Sequence, residues 1–168
     1  MNSLKLITIS CTIILSFILL LFLNYFLTRN FKSKINNDGK LKISFGIWYA
    51  AIFLAGATII STIINVVIEV IDNLIKIKPE KLYLELIKAT SLAVGVGFIW
   101  LFLWYLVVSF LTKMIPLKAN EIEEMEEDNF GYFLIKGMML LGLIFSLSSV
   151  LSMMLRTLIP NVEIPFYH

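Results

Sequence analysis

Four long apolar segments alternate with short polar segments along the chain, and no proline interrupts them. An α-helix rises about 1.5 Å per residue, so roughly 20 apolar residues cross a hydrocarbon core about 30 Å thick. Each segment has this length, and none shows the alternating polarity of a β-barrel strand. The pattern predicts an all-α membrane protein with four transmembrane helices, at about 6–27, 45–75, 80–112 and 131–158.

The second half of the chain repeats features of the first. Phe-Leu-Thr and a basic residue end the first helix at 26–29 and the third at 110–113. Phe-Gly begins the second helix at 45–46 and the fourth at 130–131, an offset of 85 residues. Matching boundaries at a near-constant offset indicate a duplicated two-helix unit.

The duplication predicts two domains, residues 1–75 and 76–168. Because each unit crosses the membrane twice, both copies have the same orientation. They are then related by a pseudo-twofold axis along the membrane normal.

The third predicted helix is longer than a bilayer requires, and Pro79 stands at its start. Proline is favoured in the first turn of a helix. This helix therefore projects beyond the membrane or bends. Gly95 and Gly97 are the expected bend positions, unless they allow the close approach of a neighbouring helix.

Composition excludes several classes of function. Hydrophobic residues make up 59% of the chain and charged residues 15%, which is more apolar surface than a soluble domain of this size buries. Cys11 is the single cysteine and His168 the single histidine, so one chain can form no disulfide and no His/Cys zinc site. No histidine accompanies the serines of the fourth helix. We therefore expect no enzyme activity, no metal, no cofactor and no nucleic-acid partner.

Small and polar residues form a stripe on the second helix and another on the fourth. Spacings of three or four residues keep each stripe on one helix face. Polar side chains in hydrocarbon need partners, so the two stripes are expected to meet near the pseudo-twofold axis as packing contacts. Alternatively, they line a path for an ion or small polar solute. The stripe residues are Ala57, Ser61, Asn65 and Glu69 on the second helix and Gly142, Ser146, Ser149 and Ser152 on the fourth.

Arg156 ends the fourth helix, and the 85-residue offset places it at the depth of Glu69 and Asp72. An ion pair between Arg156 and one of these carboxylates is expected. The alternative is that all three charges lie among the headgroups, which long side chains reach from a helix end.

The two loops on one side of the membrane carry opposite charge. Loop 28–44 has five basic residues and one acidic residue, whereas loop 113–130 has two basic and six acidic residues. We expect the loops to attract each other within a chain or between chains, unless each is an independently solvated linker. The residues concerned are Arg29, Lys32, Lys34, Lys40 and Lys42 in the first loop and Glu121, Glu123, Glu124, Glu126, Glu127 and Asp128 in the second.

Basic residues near the helix ends are nearly balanced between the two membrane faces. The two loops carry seven, the opposite face carries six, and Lys136 adds one to the loop side. The positive-inside rule then predicts cytoplasmic loops and external termini.

Short motifs around the second helix of each unit suggest a family. Glu126-Glu127-Asp128-Asn129 leads into the fourth helix, where Gly142 and serines at 146–149 follow. The first copy has Asn36-Asn37-Asp38, then Gly56 and Ser61. In these features the chain resembles the YjfL-like proteins, small bacterial inner-membrane proteins of unknown function whose unit is a helix, a polar loop and a small-residue helix. The resemblance implies a multi-pass protein of the bacterial cytoplasmic membrane.

Taken with the polar stripes, these features favour a structural or accessory subunit of a membrane assembly. Its partners are then the lipid bilayer and further copies or other subunits of a membrane complex. The alternative is a small oligomeric channel or transporter for an ion or small polar solute through the polar faces of the second and fourth helices.

Overall fold

The computed structural model describes residues 2–31, 39–77, 81–114 and 120–159. Within these residues the regular structure is entirely α-helical, so the all-α prediction is confirmed. The helices are α1 (Asn2–Thr28), α2 (Ile43–Ile77), α3 (Leu82–Met114), α4 (Glu121–Glu126), α5 (Phe130–Ser146) and α6 (Ser148–Leu158).

Three of these helices, α1, α2 and α3, are long and apolar enough to cross a membrane. The α5 and α6 helices reach that length only together, and they are bent by 49° where they join. By length and composition, the described residues therefore supply three spans, or four if the bent pair crosses as one.

The break at Leu147 corrects the prediction of one continuous helix over 131–158. Leu147 has a φ of −104° and lies between the two helices. Beside it, the hydroxyl of Ser148 donates a hydrogen bond of 2.9 Å to the backbone carbonyl of Phe145. A serine that bonds to the preceding turn competes with the backbone amides, which bends helices.

The α3 helix is uninterrupted from Leu82 to Met114, so it does not break at Gly95 or Gly97. A Cβ at Gly97 would collide with the side chain of Ile63 in α2, whereas one at Gly95 would meet open space. Gly97 thus allows two helices to approach closely, which was the alternative reading. Pro79 lies outside the described residues.

The central helix is α2, which packs against α1, α3, α5 and α6. A glycine lies in the contact of α2 with each of α1, α3 and α5. Gly56 of α2 accommodates Leu20 of α1, and Gly97 of α3 accommodates Ile63 of α2. Gly137 of α5 lies against Ala51 of α2. Without Cβ atoms at these positions, the helices approach closely enough for extensive van der Waals contact.

The outer faces of α1 and α3 consist of large apolar side chains. Ile14, Ile18 and Phe22 of α1 and Ile99 and Phe110 of α3 are exposed. Contiguous apolar surface of this kind needs a lipid or protein environment. The two helices thus flank α2 and direct apolar faces outward.

Two asparagines begin the helices of the second loop. The side chain of Asn120 accepts a hydrogen bond from the N–H of Ile122 and caps α4. In the same way, the side chain of Asn129 accepts one from the N–H of Tyr132 and caps α5. Asparagine is favoured at this position because its oxygen satisfies a free amide. The short α4 helix lies where a loop was predicted.

Candidate functional site

The structure places the two polar stripes on the outer surface of the bundle. None of the eight stripe residues, all within the described part of the chain, is buried. The two stripes therefore do not form the contact between α2 and α5, and the expectation that they meet there is wrong for a single chain. Ser61, Asn65, Glu69, Gly142, Ser146 and Ser149 are exposed, and Ala57 and Ser152 are half-buried.

The close contact between α2 and α5 lies away from both stripes. A Cβ at Gly137 would lie 2.8 Å from the Cβ of Ala51, so the two backbones are close. The small residues at this point allow extensive van der Waals contact between the two backbones.

Arg156 lies beside Glu69, one of the two carboxylates predicted as its partner. Nη2 of Arg156 lies 2.7 Å from Oε1 of Glu69, with 55% and 51% of the side chains exposed. Asp72 instead pairs with Lys5 at the start of α1, whose Nζ lies 2.6 and 2.8 Å from its carboxylate oxygens. Exposed pairs contribute about 0–1 kcal/mol each, so they align helix ends more than they stabilise the bundle.

The two charged loops meet within one chain at the start of α2. Asp128 accepts hydrogen bonds from the backbone N–H of Ser44 at 2.9 Å, from its hydroxyl at 2.6 Å and from the N–H of Ile43 at 3.4 Å. The first N–H groups of a helix lack partners within it and carry partial positive charge. Asp128 therefore caps α2 from the other half of the chain.

Lys42 makes the reverse contact, from the first loop to the second. It is 4% exposed, and its Nζ donates hydrogen bonds to the backbone carbonyls of Met125 at 3.0 Å and Glu126 at 2.8 Å. We call the contacts of Lys42, Ser44 and Asp128 the loop clasp. The clasp thus joins the loops through the carbonyls of Met125 and Glu126 on one side and through the amides and the hydroxyl at the start of α2 on the other.

The other charged residues of the two loops are mostly exposed or lie outside the described residues. Lys32 and Lys34 lie outside the described residues, and Arg29 and Lys40 are exposed. The guanidinium of Arg29 lies 4.6 Å from the ring centre of Phe26. In α4, Glu123 accepts a hydrogen bond from the Asn120 side chain and Glu124 accepts one from the Asn129 side chain, while Glu126 and Glu127 are exposed.

The electrostatics of the clasp keep Asp128 ionised. Desolvation raises the pKa of Asp128, but the hydrogen bonds from Ser44 and Ile43 and the charge of Lys42 outweigh it, so the pKa lies below its usual value. Asp128 also has a φ of +53°, in the left-handed region that aspartate tolerates better than most residues.

Lys136 connects the acidic loop to the interior of the bundle. Its side chain is 0% exposed, and its Nζ lies 2.5 Å from Oε1 of Glu121. The same Nζ lies 4.5 Å from the ring centre of Trp48 and 5.5 Å from that of Tyr105. A carboxylate and two aromatic faces thus compensate a charge that would be costly alone. We call Lys136, Glu121, Trp48 and Tyr105 the lysine cluster.

Three buried polar atoms of the lysine cluster have no hydrogen-bond partner among the described residues: Nζ of Lys136, Oε1 of Glu121 and Nε1 of Trp48. Lys136 and Glu121 are nevertheless an ion pair, which leaves Nε1 of Trp48 as the atom of the cluster without a polar partner among the described residues. Buried polar groups usually have a partner, so this cluster is unusual.

The lysine cluster was not predicted from the sequence, where Lys136 entered the prediction of membrane orientation. A signal was present, since Lys136 is the single charged residue between positions 130 and 155. An ionisable residue inside an apolar span is a candidate functional residue, with a partner to be found. That partner, Glu121, lies in another segment and could not be identified from spacing.

A polar face of α1 was also missed. Thr12, Ser16, Asn24 and Thr28 recur at multiples of four residues and are at most 1% exposed. The hydroxyl of Thr28 donates to the carbonyl of Asn24 at 2.7 Å, and the Asn24 amide donates to the carbonyl of Tyr49 in α2 at 3.4 Å. The regular spacing was the available signal. This face, unlike the two predicted stripes, packs inside the bundle.

Comparison with known proteins adds no family to this geometry. No protein-family model, no curated protein and no solved structure matches the chain.

Proposed function

We propose that this protein is an integral membrane protein with four spans, built from two parallel-oriented two-helix repeats, and that it is a structural or accessory subunit of a membrane assembly. The observation that carries this proposal is the exposed polar stripe of α2, a helix long enough to span a bilayer. Membership of the YjfL-like proteins, a bacterial inner-membrane location and cytoplasmic loops belong to the same proposal.

The outer faces of α1 and α3 support the membrane placement. Their exposed residues are aliphatic or aromatic along most of both helices, as in Ile14, Phe22 and Ile99. Such apolar faces match hydrocarbon. A helix can lie in it because its backbone groups form hydrogen bonds within the helix. The bent pair of α5 and α6 supplies the fourth crossing.

Contacts between equivalent residues support the duplication. Trp48 and Phe133 are 85 residues apart, both are 0% exposed, and their ring centres are 6.2 Å apart. Ile59 and Ile144, at the same offset, are both buried as well. Contact between matching residues of two repeats is expected where a twofold axis passes between them.

The stripe supports assembly with other protein. Ser61 is one residue from the midpoint of α2 (Ile43–Ile77), and Asn65 is one turn further along. In lipid, the Asn65 amide would lack hydrogen-bond partners, and the Ser61 hydroxyl could bond only to the preceding turn of its own helix. A partner helix that covers the stripe removes this cost, and the small residues in the stripe let its backbone approach.

Photo-crosslinking in native membranes tests the proposal. A photoreactive amino acid at Ser61 or Ser146 should form protein adducts, whereas the same group at the exposed Ile99 of α3 should react with lipid. Lipid adducts alone at both stripe positions, with the pattern seen at Ile99, would contradict the proposal.

One observation favours a channel as a second candidate. A cleft of about 580 Å³ lies along α6 and continues the stripe, with Ser149, Ser152 and Arg156 in its lining. Copies arranged with these faces inward would line a polar path. Ion flux in liposomes should then be lost in Asn65→Leu and Ser146→Leu, but retained in Leu54→Ala, a change on the apolar exposed surface of α2. Flux that survives both leucine variants excludes this pathway.

A further inference from the structure

One face of α2 is uncovered, although this helix is the centre of the bundle. Ala50, Leu54, Ser61, Asn65 and Glu69 are exposed, and their spacings of four and seven residues keep them on one side of the helix. At about 1.5 Å per residue this face is about 30 Å long. If α2 spans the bilayer as proposed above, the face therefore runs through most of the hydrocarbon. We call it the open face of α2.

The open face lies between two other parts of the bundle. At one edge α1 packs against α2, where the ring of Phe17 meets the ring of Phe53. At the other edge α5 lies against Ala51, and α6 reaches α2 through Arg156 and Glu69. The exposed positions span an arc of about 100° at 100° per residue, which is the width of a helix face that packs on another element.

The open face combines small residues with one amide that has no partner. Ala57 and Ser61 are four residues apart, the spacing at which small side chains let two membrane helices approach closely. The Asn65 side chain, one turn further, has no hydrogen-bond partner among the described residues. By contrast, the hydroxyl groups of Thr58 and Thr62 donate to backbone carbonyls of α2 itself. Asn65 is therefore the group of this face that most needs a partner from outside the chain.

The amide of Asn65 is complementary to its own copy. Copies of one chain have the same orientation in a membrane, so a twofold axis that relates two of them is parallel to the membrane normal. Such an axis keeps each residue at its own depth, and Asn65 then lies opposite the Asn65 of a second copy. An amide carries both donors and an acceptor, so the two side chains can exchange two hydrogen bonds. Paired asparagines of this kind fix partner and register in dimeric coiled coils.

The charged end of the open face is also complementary to itself. Nη2 of Arg156 lies 2.7 Å from Oε1 of Glu69, and both side chains are about half exposed. The two charges therefore lie at the same depth and sum to zero. A twofold axis brings two positive and two negative charges to one level, where each arginine can also attract the glutamate of the other copy.

We propose that a second copy of this chain covers the open face of α2, in a parallel dimer with twofold symmetry. The helices approach most closely at Ala57 and Ser61, and the two Asn65 amides bind each other. This inference rests on the proposed function, since it names the partner of the polar stripe.

Cysteine crosslinking in lipid bilayers tests the dimer on a Cys11→Ser background. Mild oxidation of Ala57→Cys or Ser61→Cys should link two differently tagged copies of the full chain. Ile99→Cys is the control, because Ile99 is exposed on the outer face of α3, and it should remain largely unlinked. Equal, weak crosslinking at all three positions would overturn the proposal.

The role of the amide is tested by energy transfer between labelled copies as the protein is diluted into lipid. Asn65→Leu should shift the midpoint of dissociation to a protein-to-lipid ratio about tenfold higher, because two hydrogen bonds within the membrane are lost. Asn65→Gln keeps an amide and should resemble wild type. Ser91→Leu, the same kind of change at an exposed position of α3, should also resemble wild type. An unchanged midpoint in Asn65→Leu would show that the two amides do not meet and would overturn the proposed arrangement.

The dimer can fail while the proposed function stands. Photo-adducts of Ser61 with a different protein, together with no dimer in the cysteine and dilution experiments, would overturn the dimer but leave the stripe as a protein contact. Adducts with lipid alone would overturn both.

Discussion

Asp128 accepts a hydrogen bond of 2.6 Å from the hydroxyl of Ser44, a residue 84 positions earlier in the chain. The same carboxylate accepts hydrogen bonds from two amides at the start of α2. The beginning of the central helix is therefore completed by the opposite half of the molecule. Lys42 binds the carbonyls that end α4, so the clasp couples the two charged loops.

Replacing Asp128 with alanine should destabilise the protein by about 1–2 kcal/mol, the range for loss of a helix cap. The first amides of α2 would lose their acceptor. Glu127→Ala is the control, because Glu127 is the adjacent carboxylate and is exposed. Thermal unfolding in detergent measures both, and equal shifts for the two variants would argue against the cap.

The clasp should also make stability depend on pH. Because the folded pKa of Asp128 is lowered, its contribution is fully present above the unfolded pKa of about 4 and is lost as the pH falls through the folded value. Wild type should therefore lose stability on acidification more steeply than Asp128→Asn. Unfolding curves between about pH 5 and pH 2 test this, and parallel curves would show that Asp128 does not carry the dependence.

The two sides of the Lys136–Glu121 pair should respond unequally to mutation. Glu121→Gln leaves a fully buried ammonium without its counter-charge, which typically costs about 3–5 kcal/mol. Lys136→Met removes that ammonium, fills a similar volume and leaves only a carboxylate that reaches solvent, so its cost should be smaller. The double variant should recover most of the loss caused by Glu121→Gln. Additive losses across this double-mutant cycle would mean that the two groups do not interact.

Two glycines of α5 should differ sharply in their tolerance of alanine. A Cβ at Gly137 would lie 2.8 Å from the Cβ of Ala51, whereas a Cβ at Gly142 would have no neighbour within 4 Å. Gly137→Ala should destabilise the chain by about 1–3 kcal/mol, as overpacking does. Gly142→Ala should be neutral or stabilising in monomeric protein, because alanine favours helix. Similar unfolding temperatures for both variants would place the contact between α2 and α5 elsewhere.

The length of the apolar segments was enough to predict the helices, since crossing hydrocarbon requires length and apolarity rather than particular partners. The break at Leu147 was not predicted, because it depends on whether serine hydroxyls bond to the preceding turn or point outward. Thr12, Ser16 and Asn24 share one face of α1 as clearly as the stripe residues share one face of α2. The face of α1 is buried in the bundle, whereas the stripe of α2 is exposed.

In the candidate site, too, some features could be predicted from the sequence and others depended on how the helices pack. Opposite loop charges indicated that the loops would approach, but not that Asp128 would bind amides and Lys42 would bind carbonyls. The position of Lys136 within an apolar segment was visible in the sequence. Its partner Glu121 and its aromatic neighbours come from three other helices, so their convergence required the fold.

The central claim is that the polar stripe of α2 contacts protein within the membrane. Spin-label accessibility tests it most directly, in lipid bilayers, on a Cys11→Ser background that removes the single, exposed cysteine. A label at position 61 should be shielded from both oxygen and a water-soluble nickel chelate, while a label at position 99 should be accessible to oxygen. Oxygen access at position 61 equal to that at position 99 would contradict the claim, and access to the nickel chelate would replace the packed interface with a water-filled path.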